Sequence, residues 1–198
     1  MTDPLIQAAN AGDVARIREL IAAGADPDVR GEGGSTPLLA ATKADRPEAF
    51  QALLDAGADV DLRDDRLDNP FLYAGAEGLL DILKLANEAG ADPALTNRYG
   101  GIALIPASER GHVEVVRYLL QQTDVDVDHV NKLGWTALLE AILLSDGGPR
   151  HQAIVALLIE AGADVDLADK DGVTPLAHAR MRGQSDTAGL LVAAGATA

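Results

Sequence analysis

No cysteine occurs in the chain, which excludes disulfides, thiolate chemistry and cysteine-ligated zinc. Aromatic residues make up only 3%, so any core must be assembled from Leu, Ala, Val and Ile. That aliphatic, alanine-rich bias suits closely packed short helices. Basic residues are scarce as well: 16 Lys and Arg stand against 31 Asp and Glu, a formal net charge of -15. A field of that sign repels phosphate backbones and anionic lipid, so neither nucleic acid nor a membrane is an expected partner. Solubility alone also accounts for the acidity. No apolar run approaches the roughly 18 residues of a membrane span. The opening MTDPLIQAANAGD lacks the basic and apolar regions of a signal peptide. A cytoplasmic location is expected, or a periplasmic or secreted one if an export signal has been removed.

What the chain does contain is a period. Gly34 opens GSTPLLAA, Gly100 opens GGIALIPA, Gly134 opens GWTALLEA and Gly172 opens GVTPLAHA, while Leu67 takes the glycine position in LDNPFLYA. Successive openings lie 33, 33, 34 and 38 residues apart. A fixed period of this length points to a solenoid. Each repeat reads alike. Thr36 and Thr174 stand at N-cap positions, and Pro37 and Pro175 follow at the first helical residue, where a missing N–H costs nothing. A short Ala/Leu helix is succeeded by a second with apolar residues at helical spacing, as in Val113, Val116, Leu119 and Leu120. Gly24, Gly57, Gly90, Gly162 and Gly195 end these second helices. Extended arms follow: DPDV, DVDL, DPAL, DVDV and DVDL.

DKDGVTPLAHA at Asp169–Ala179, ERGHVEVVRYLL at Glu109–Leu120 and the recurring AGADVD resemble the ankyrin repeat over nearly the whole chain. NPFLYAGAEG, ALIPASERGH and HVNKLGWTALLEA are similar to a group of bacterial ankyrin proteins of unsettled role. The resemblance implies an all-α ankyrin-repeat solenoid of about six helix-turn-helix units with β-hairpin fingers. It would form a single domain over 1–198, with repeats at roughly 1–30, 31–63, 64–96, 97–130, 131–168 and 169–198. It also implies a non-enzymatic protein–protein interaction module that binds a partner protein through its concave face, monomeric and without cofactor. An exported adaptor or virulence factor is the alternative. The family histidine after Thr-Pro-Leu is missing: Leu39, Leu72, Ile105, Leu139 and Ala177 stand there. That histidine ties turns of adjacent repeats, so cohesion is expected to lean on apolar packing.

The chain offers little catalytic chemistry. His112, His129, His151 and His178 lie in separate stretches, and no HExxH, G-x-S-x-G or P-loop occurs. His112 and His151 fall at the entry of a second helix, where the family histidine is structural. RGEGGSTP has no Lys and no preceding apolar strand, so it reads as a turn. Asp124, Asp126 and Asp128 alternate like a calcium loop, but positions six and twelve are His129 and Trp135, not glycine and glutamate. No metal site is expected. Asp59, Asp61, Asp64, Asp65, Asp68, Asp164, Asp166, Asp169 and Asp171 make the fingers acidic, either as a solvated edge or as a landing strip for a basic segment.

One stretch breaks the period. Relative to the fourth repeat, the fifth carries five extra residues between its helices, in LLSDGGPRH. Ile142, Leu143 and Leu144 are expected to lengthen the first helix, with Asp146–Pro149 looped out. The only tryptophan, Trp135, stands at the finger beside Thr136. Tyr99 and Leu133 are finger residues of adjacent repeats. Tyr73, Glu77, Glu109, Arg110 and Glu140 fall on or beside groove positions of first helices. These residues, with Leu143 and Leu144, form the candidate partner surface, because Trp, Tyr and Arg concentrate binding energy. The partner expected there is a basic segment carrying an apolar anchor. Packing of Trp135 on its neighbouring repeat is the competing reading.

Overall fold

The computed structural model describes residues 3–197. Among the described residues twelve α-helices follow in pairs: α1 (Pro4–Ala11) and α2 (Val14–Ala22), α3 (Pro37–Lys43) and α4 (Pro47–Asp55), α5 (Pro70–Glu77) and α6 (Leu80–Glu88), α7 (Leu104–Glu109) and α8 (Val113–Gln122), α9 (Ala137–Leu143) and α10 (Pro149–Glu160), α11 (Pro175–Met181) and α12 (Ser185–Ala193). No β-strand is formed among the described residues. The chain groups into two compact units. The first holds the chain to Ala74 together with Leu79–Arg98; the second holds Gly75–Gly78 and the chain from Tyr99 onward.

Local chemistry starts the first helices where the sequence places them. Thr36, Thr136 and Thr174 accept from the amides of Leu39, Leu139 and Ala177 at 3.2, 3.2 and 3.3 Å. Asn69 does the same for Leu72 at 2.8 Å. Each satisfies one of the donors that a helix start leaves open. In the second unit α7 packs on α9 and α9 on α11, while α8 packs on α10 and α10 on α12. In the first unit α1 packs on α3 and α2 on α4. Val116, Leu119, Val155 and Leu158 of the second helices are fully buried.

Polar ties supplement this apolar packing, on which cohesion was expected to lean. Within the first unit, Asp28 accepts from the amide of Asp59 at 2.9 Å and Asp61 from that of Asp92 at 3.0 Å. Within the second, Asp128 accepts from the amide of Asp164 at 2.9 Å and Asp166 from that of Thr197 at 2.8 Å. The finger aspartates are therefore partly structural, each carrying the amide of the following arm. A second set runs between helix ends. His112 Nε2 lies 3.1 Å from the Ala76 carbonyl and His151 Nε2 lies 2.9 Å from that of Glu109. Gln184 takes the same place, donating to the Ile142 carbonyl at 3.0 Å. Both histidines are structural, as read from their register.

The irregular stretch folds differently from the expectation. Helix α9 has 7 residues, as α3 and α11 do, so Leu144 lies beyond it and the first helix is not lengthened. The second helix takes up the length instead: α10 has 12 residues and starts at Pro149, upstream of His151. Proline at the first helical residue is the local cause. The turn before it is pinned. The Ser145 hydroxyl donates to the Ala141 carbonyl at 2.6 Å, and the amide of Gly148 donates to Asp146 at 2.9 Å. Arg182 donates to the Ser145 carbonyl at 3.2 Å. A Cβ on Gly147 would meet the Gln184 side chain at 2.6 Å.

Two outcomes follow for stability. Leu67, at the glycine position, has φ 62° and is 39% exposed. A left-handed backbone costs a side-chain-bearing residue about 1–2 kcal/mol, part of which glycine's flexibility in the unfolded chain offsets. Leu67→Gly is expected to stabilise the protein by about 0.5–1 kcal/mol in urea unfolding; a loss would mean that the leucine packs. Asp128→Ala, which strands the Asp164 amide, is expected to cost about 0.5–1.5 kcal/mol in the same assay. No change would return the finger aspartates to the status of a solvated edge.

Candidate functional site

The fingers of the fourth and fifth repeats lie side by side in the second unit. The amide of Lys132 donates to the Tyr99 carbonyl at 2.9 Å, and His129 Nε2 lies 2.7 Å from the Gly100 carbonyl. On this paired backbone Tyr99 is 53%, Leu133 43% and Val130 48% exposed. Val130 was missed in the sequence because it reads as one more arm residue, though its exposure matches that of its neighbours.

Asn131 builds the fifth finger. Its amide donates to the Trp135 carbonyl at 3.0 Å, closing the turn. Its Oδ1 accepts from the amides of Leu133 and Trp135 at 2.9 and 3.1 Å. Gly134, at φ 83°, permits the tight return. Trp135 itself is half-buried. It is neither a core residue nor a free anchor: part of the indole packs and part faces out.

Glu140 is corrected as a surface contact. It is buried, 5% exposed, and one carboxyl oxygen accepts from Asn131 Nδ2 at 2.8 Å. Burial first, and the nearby charge of Glu109 second, push its carboxyl up to about 7, against the opposing hydrogen bond from Asn131. Glu109 is half-buried at the end of α7.

Arg110 and Glu77 do meet. Arg110 forms an ion pair with Glu77 and donates to the Ala76 carbonyl at 3.0 Å. Both side chains remain over 40% exposed (44% and 42%), with the guanidinium already engaged. Leu144 is 49% exposed past the end of α9, and Leu143 is half-buried. Tyr73 belongs to the first unit, half-buried, with Lys43 Nζ 5.8 Å from its ring centroid. The structure thus gathers Tyr99, Leu133 and Trp135 on two fingers, and Arg110 with Glu77 beside a helix end.

No group of three or more His, Cys, Asp or Glu that could hold a metal occurs among the described residues. Asp126 and Asp128 of the alternating arm spend oxygens on the amides of Asp128 and Asp164. The nearest approach to acid–base machinery is His178 Nε2, 2.7 Å from Asp169 Oδ2. Asp169 Oδ1 meanwhile holds the amides of Asp171 and Val173 at 2.9 and 3.0 Å. That arrangement braces the sixth finger, in the manner of Asn131 in the fifth.

A family model describing three copies of the ankyrin repeat matches residues 2–64 and 71–169. An ankyrin repeat domain from Acinetobacter baumannii AYE is 53% identical, with a TM-score of 0.94 over 98% of each chain. EF0377, an ankyrin repeat protein, is 38% identical, with a TM-score of 0.92 over 97% of this chain and 98% of its own. The ankyrin repeat protein YahD of Escherichia coli (strain K12) is 54% identical over 99 residues, 50% of this chain and 49% of YahD, so that match spans about half of the relative's length. Ankyrin repeats generally mediate protein–protein interaction and are typically non-enzymatic. The glycine-opened period, the paired helices, the fingers and the family match agree, and the chain belongs to the ankyrin-repeat family.

Proposed function

We propose that the chain is a non-enzymatic binding module whose partner surface lies on the fingers of the fourth and fifth repeats, centred on Trp135 and flanked by Tyr99 and Leu133. The partner segment is basic and carries an apolar anchor. The observation that carries this reading is the pair of bonded fingers that leave Tyr99, Val130 and Leu133 about half exposed. An apolar patch on a rigid backbone demands little ordering when a partner arrives. The chain's charge of -15 selects a cationic segment over an acidic one and speeds its encounter. The Arg110–Glu77 pair offers a further carboxylate at the helix end. The pinned 143–150 turn supports a fixed rim more than a mobile flap.

Panning a random peptide library on the intact protein tests the chemistry. Enrichment of segments with Lys or Arg around one large apolar residue is expected. Enrichment of acidic segments, or none, would count against the reading. An enriched peptide titrated at 0.05 and 0.5 M salt is expected to bind more weakly at the higher salt, as screened charges require. Trp135→Ala is expected to weaken it by about 2 kcal/mol or more, the scale of a hot spot, with the far-UV circular dichroism unchanged. If Trp135→Ala binds like wild type, or unfolds the protein, the indole is a packing residue and the surface is misplaced.

A further inference from the structure

Three fingers are built on one plan. Asp64, Asn131 and Asp169 each stand at the start of a finger and each accept two backbone amides on one side-chain oxygen. The donors are Arg66 and Asp68 for Asp64, Leu133 and Trp135 for Asn131, and Asp171 and Val173 for Asp169. The remaining side-chain atom is clamped from a first helix, and here the fingers differ. Asp64 is held by Lys43 Nζ at 2.9 Å, and Asp169 by His178 Nε2 at 2.7 Å. Both are acids facing a base. Asn131 instead donates to Glu140 at 2.8 Å, so the clamp is itself an acid, almost wholly buried. Among the described residues no salt bridge reaches Glu140.

We infer that Glu140 is a proton-controlled latch on the finger that carries Leu133 and Trp135. Protonated, Glu140 sits neutral in its buried place, accepts from Asn131 and holds the finger in the posture described above. Ionised, it is a desolvated charge beside Glu109, and it gains by turning toward water. Turning out releases Asn131 Nδ2, and Asn131 then holds the amides of Leu133 and Trp135 less firmly. The step moves one proton between Glu140 and solvent and breaks one hydrogen bond.

The surroundings support this direction. From α7 the charge that acts on Glu140 is that of Glu109, and from the finger it meets the neutral amide of Asn131. On α10, His151 is bonded to the Glu109 carbonyl, and Arg150 is exposed. On α11, His178 is bonded to Asp169, and Arg180 is exposed. Neither these nor Glu160 of α10 is among the groups that set the ionisation of Glu140. The folded chain keeps the Glu140 proton to about 7, where the ordinary value is 4.5. Between those values the folded state binds more protons than the unfolded state, so stability falls as pH rises through that window.

The inference rests on the proposed function only in taking this finger as the docking surface, and its test needs no partner. Trp135 is the only tryptophan, so tryptophan fluorescence of the intact protein reports on this finger alone. Titration from pH 5 to 9 is expected to show one transition with its midpoint near 7. Glu140→Gln, an uncharged isostere, is expected to abolish it and to keep the acid-form emission throughout. Glu109→Gln removes the like charge and is expected to lower the midpoint. His129→Gln and His178→Gln control for histidines, which ordinarily titrate nearby, and are expected to leave the transition in place. Hydrogen exchange supplies a second readout. After correction for intrinsic rates, protection of the Leu133 and Trp135 amides is expected to drop at least several-fold from pH 6 to pH 8 in wild type, and not in Glu140→Gln. A wild-type titration without a transition, or one that survives Glu140→Gln, overturns the latch. Loss of the transition in either histidine variant assigns it to that histidine and also overturns the latch. Peptide binding that fails while the transition persists would overturn the docking surface and leave the latch standing.

Discussion

Within each unit, first helices that pack directly on one another call for small side chains at close approach. The register seven residues after the opening residue of each repeat meets that demand, with Ala41, Ala74, Ala107, Ala141 and Ala179 all 0–1% exposed. In the second unit this lets α9 lie between α7 and α11, so its side chains have a neighbour on either side. A side chain there meets another repeat before it meets water. The burial of Glu140, one residue before Ala141, follows from that constraint, and so does the cost of its charge. Close packing of this kind resists volume changes as small as a methylene, and the alanines are the positions least open to enlargement.

Much of the fold was legible because its signals are local. A threonine oxygen three residues ahead of an amide caps a helix whatever surrounds it, and Thr36, Thr136 and Thr174 do so. Glycine at a left-handed turn needs only its own backbone. The irregular stretch was read less well because Ile142, Leu143 and Leu144 look like helix by composition. The helix ends at Leu143, and the extra length lies in the turn and in the start of α10. Pro149 was the available signal: a proline after two glycines marks a first helical residue more firmly than apolar side chains mark a last one.

The site was less legible because its contacts run between repeats. Arg110 and Glu77 are 33 residues apart in sequence, one period, and pairing residues at that spacing would have found them. Asn131 and Glu140 are 9 apart, which corresponds to no helical or strand neighbour. Only the return of the finger onto the first helix joins them. The finger aspartates carried two readings in the sequence, and the structure gives several of them, Asp59, Asp61, Asp164, Asp166 and Asp169 among them, work on backbone amides. Their charge still contributes to the field a partner meets, because a carboxylate that accepts an amide keeps its charge.

The fifth finger stands out when the three Asx-built fingers are compared by charge. Lys43 presents an ammonium to Asp64, so Coulomb attraction adds to the hydrogen bond, and His178 presents a ring nitrogen to Asp169. Asp169 accordingly lies below the usual carboxylate range: the amide of Val173 leads, burial opposes, and His178 and the amide of Asp171 add to the lowering. Asp64 is lowered too, because Lys43 and two backbone amides outweigh burial, the largest single influence. At the fifth finger both sides of this arrangement change. The aspartate becomes the neutral Asn131, and the clamp becomes an acid whose neighbouring charge is a second acid. Asn131 spares Glu140 the like charge that an aspartate would add, which makes the carboxyl tolerable in its buried place but supplies no cation to offset it. Natural proteins break local rules at functional sites and compensate for them elsewhere, and this break falls on the finger that bears the chain's only tryptophan.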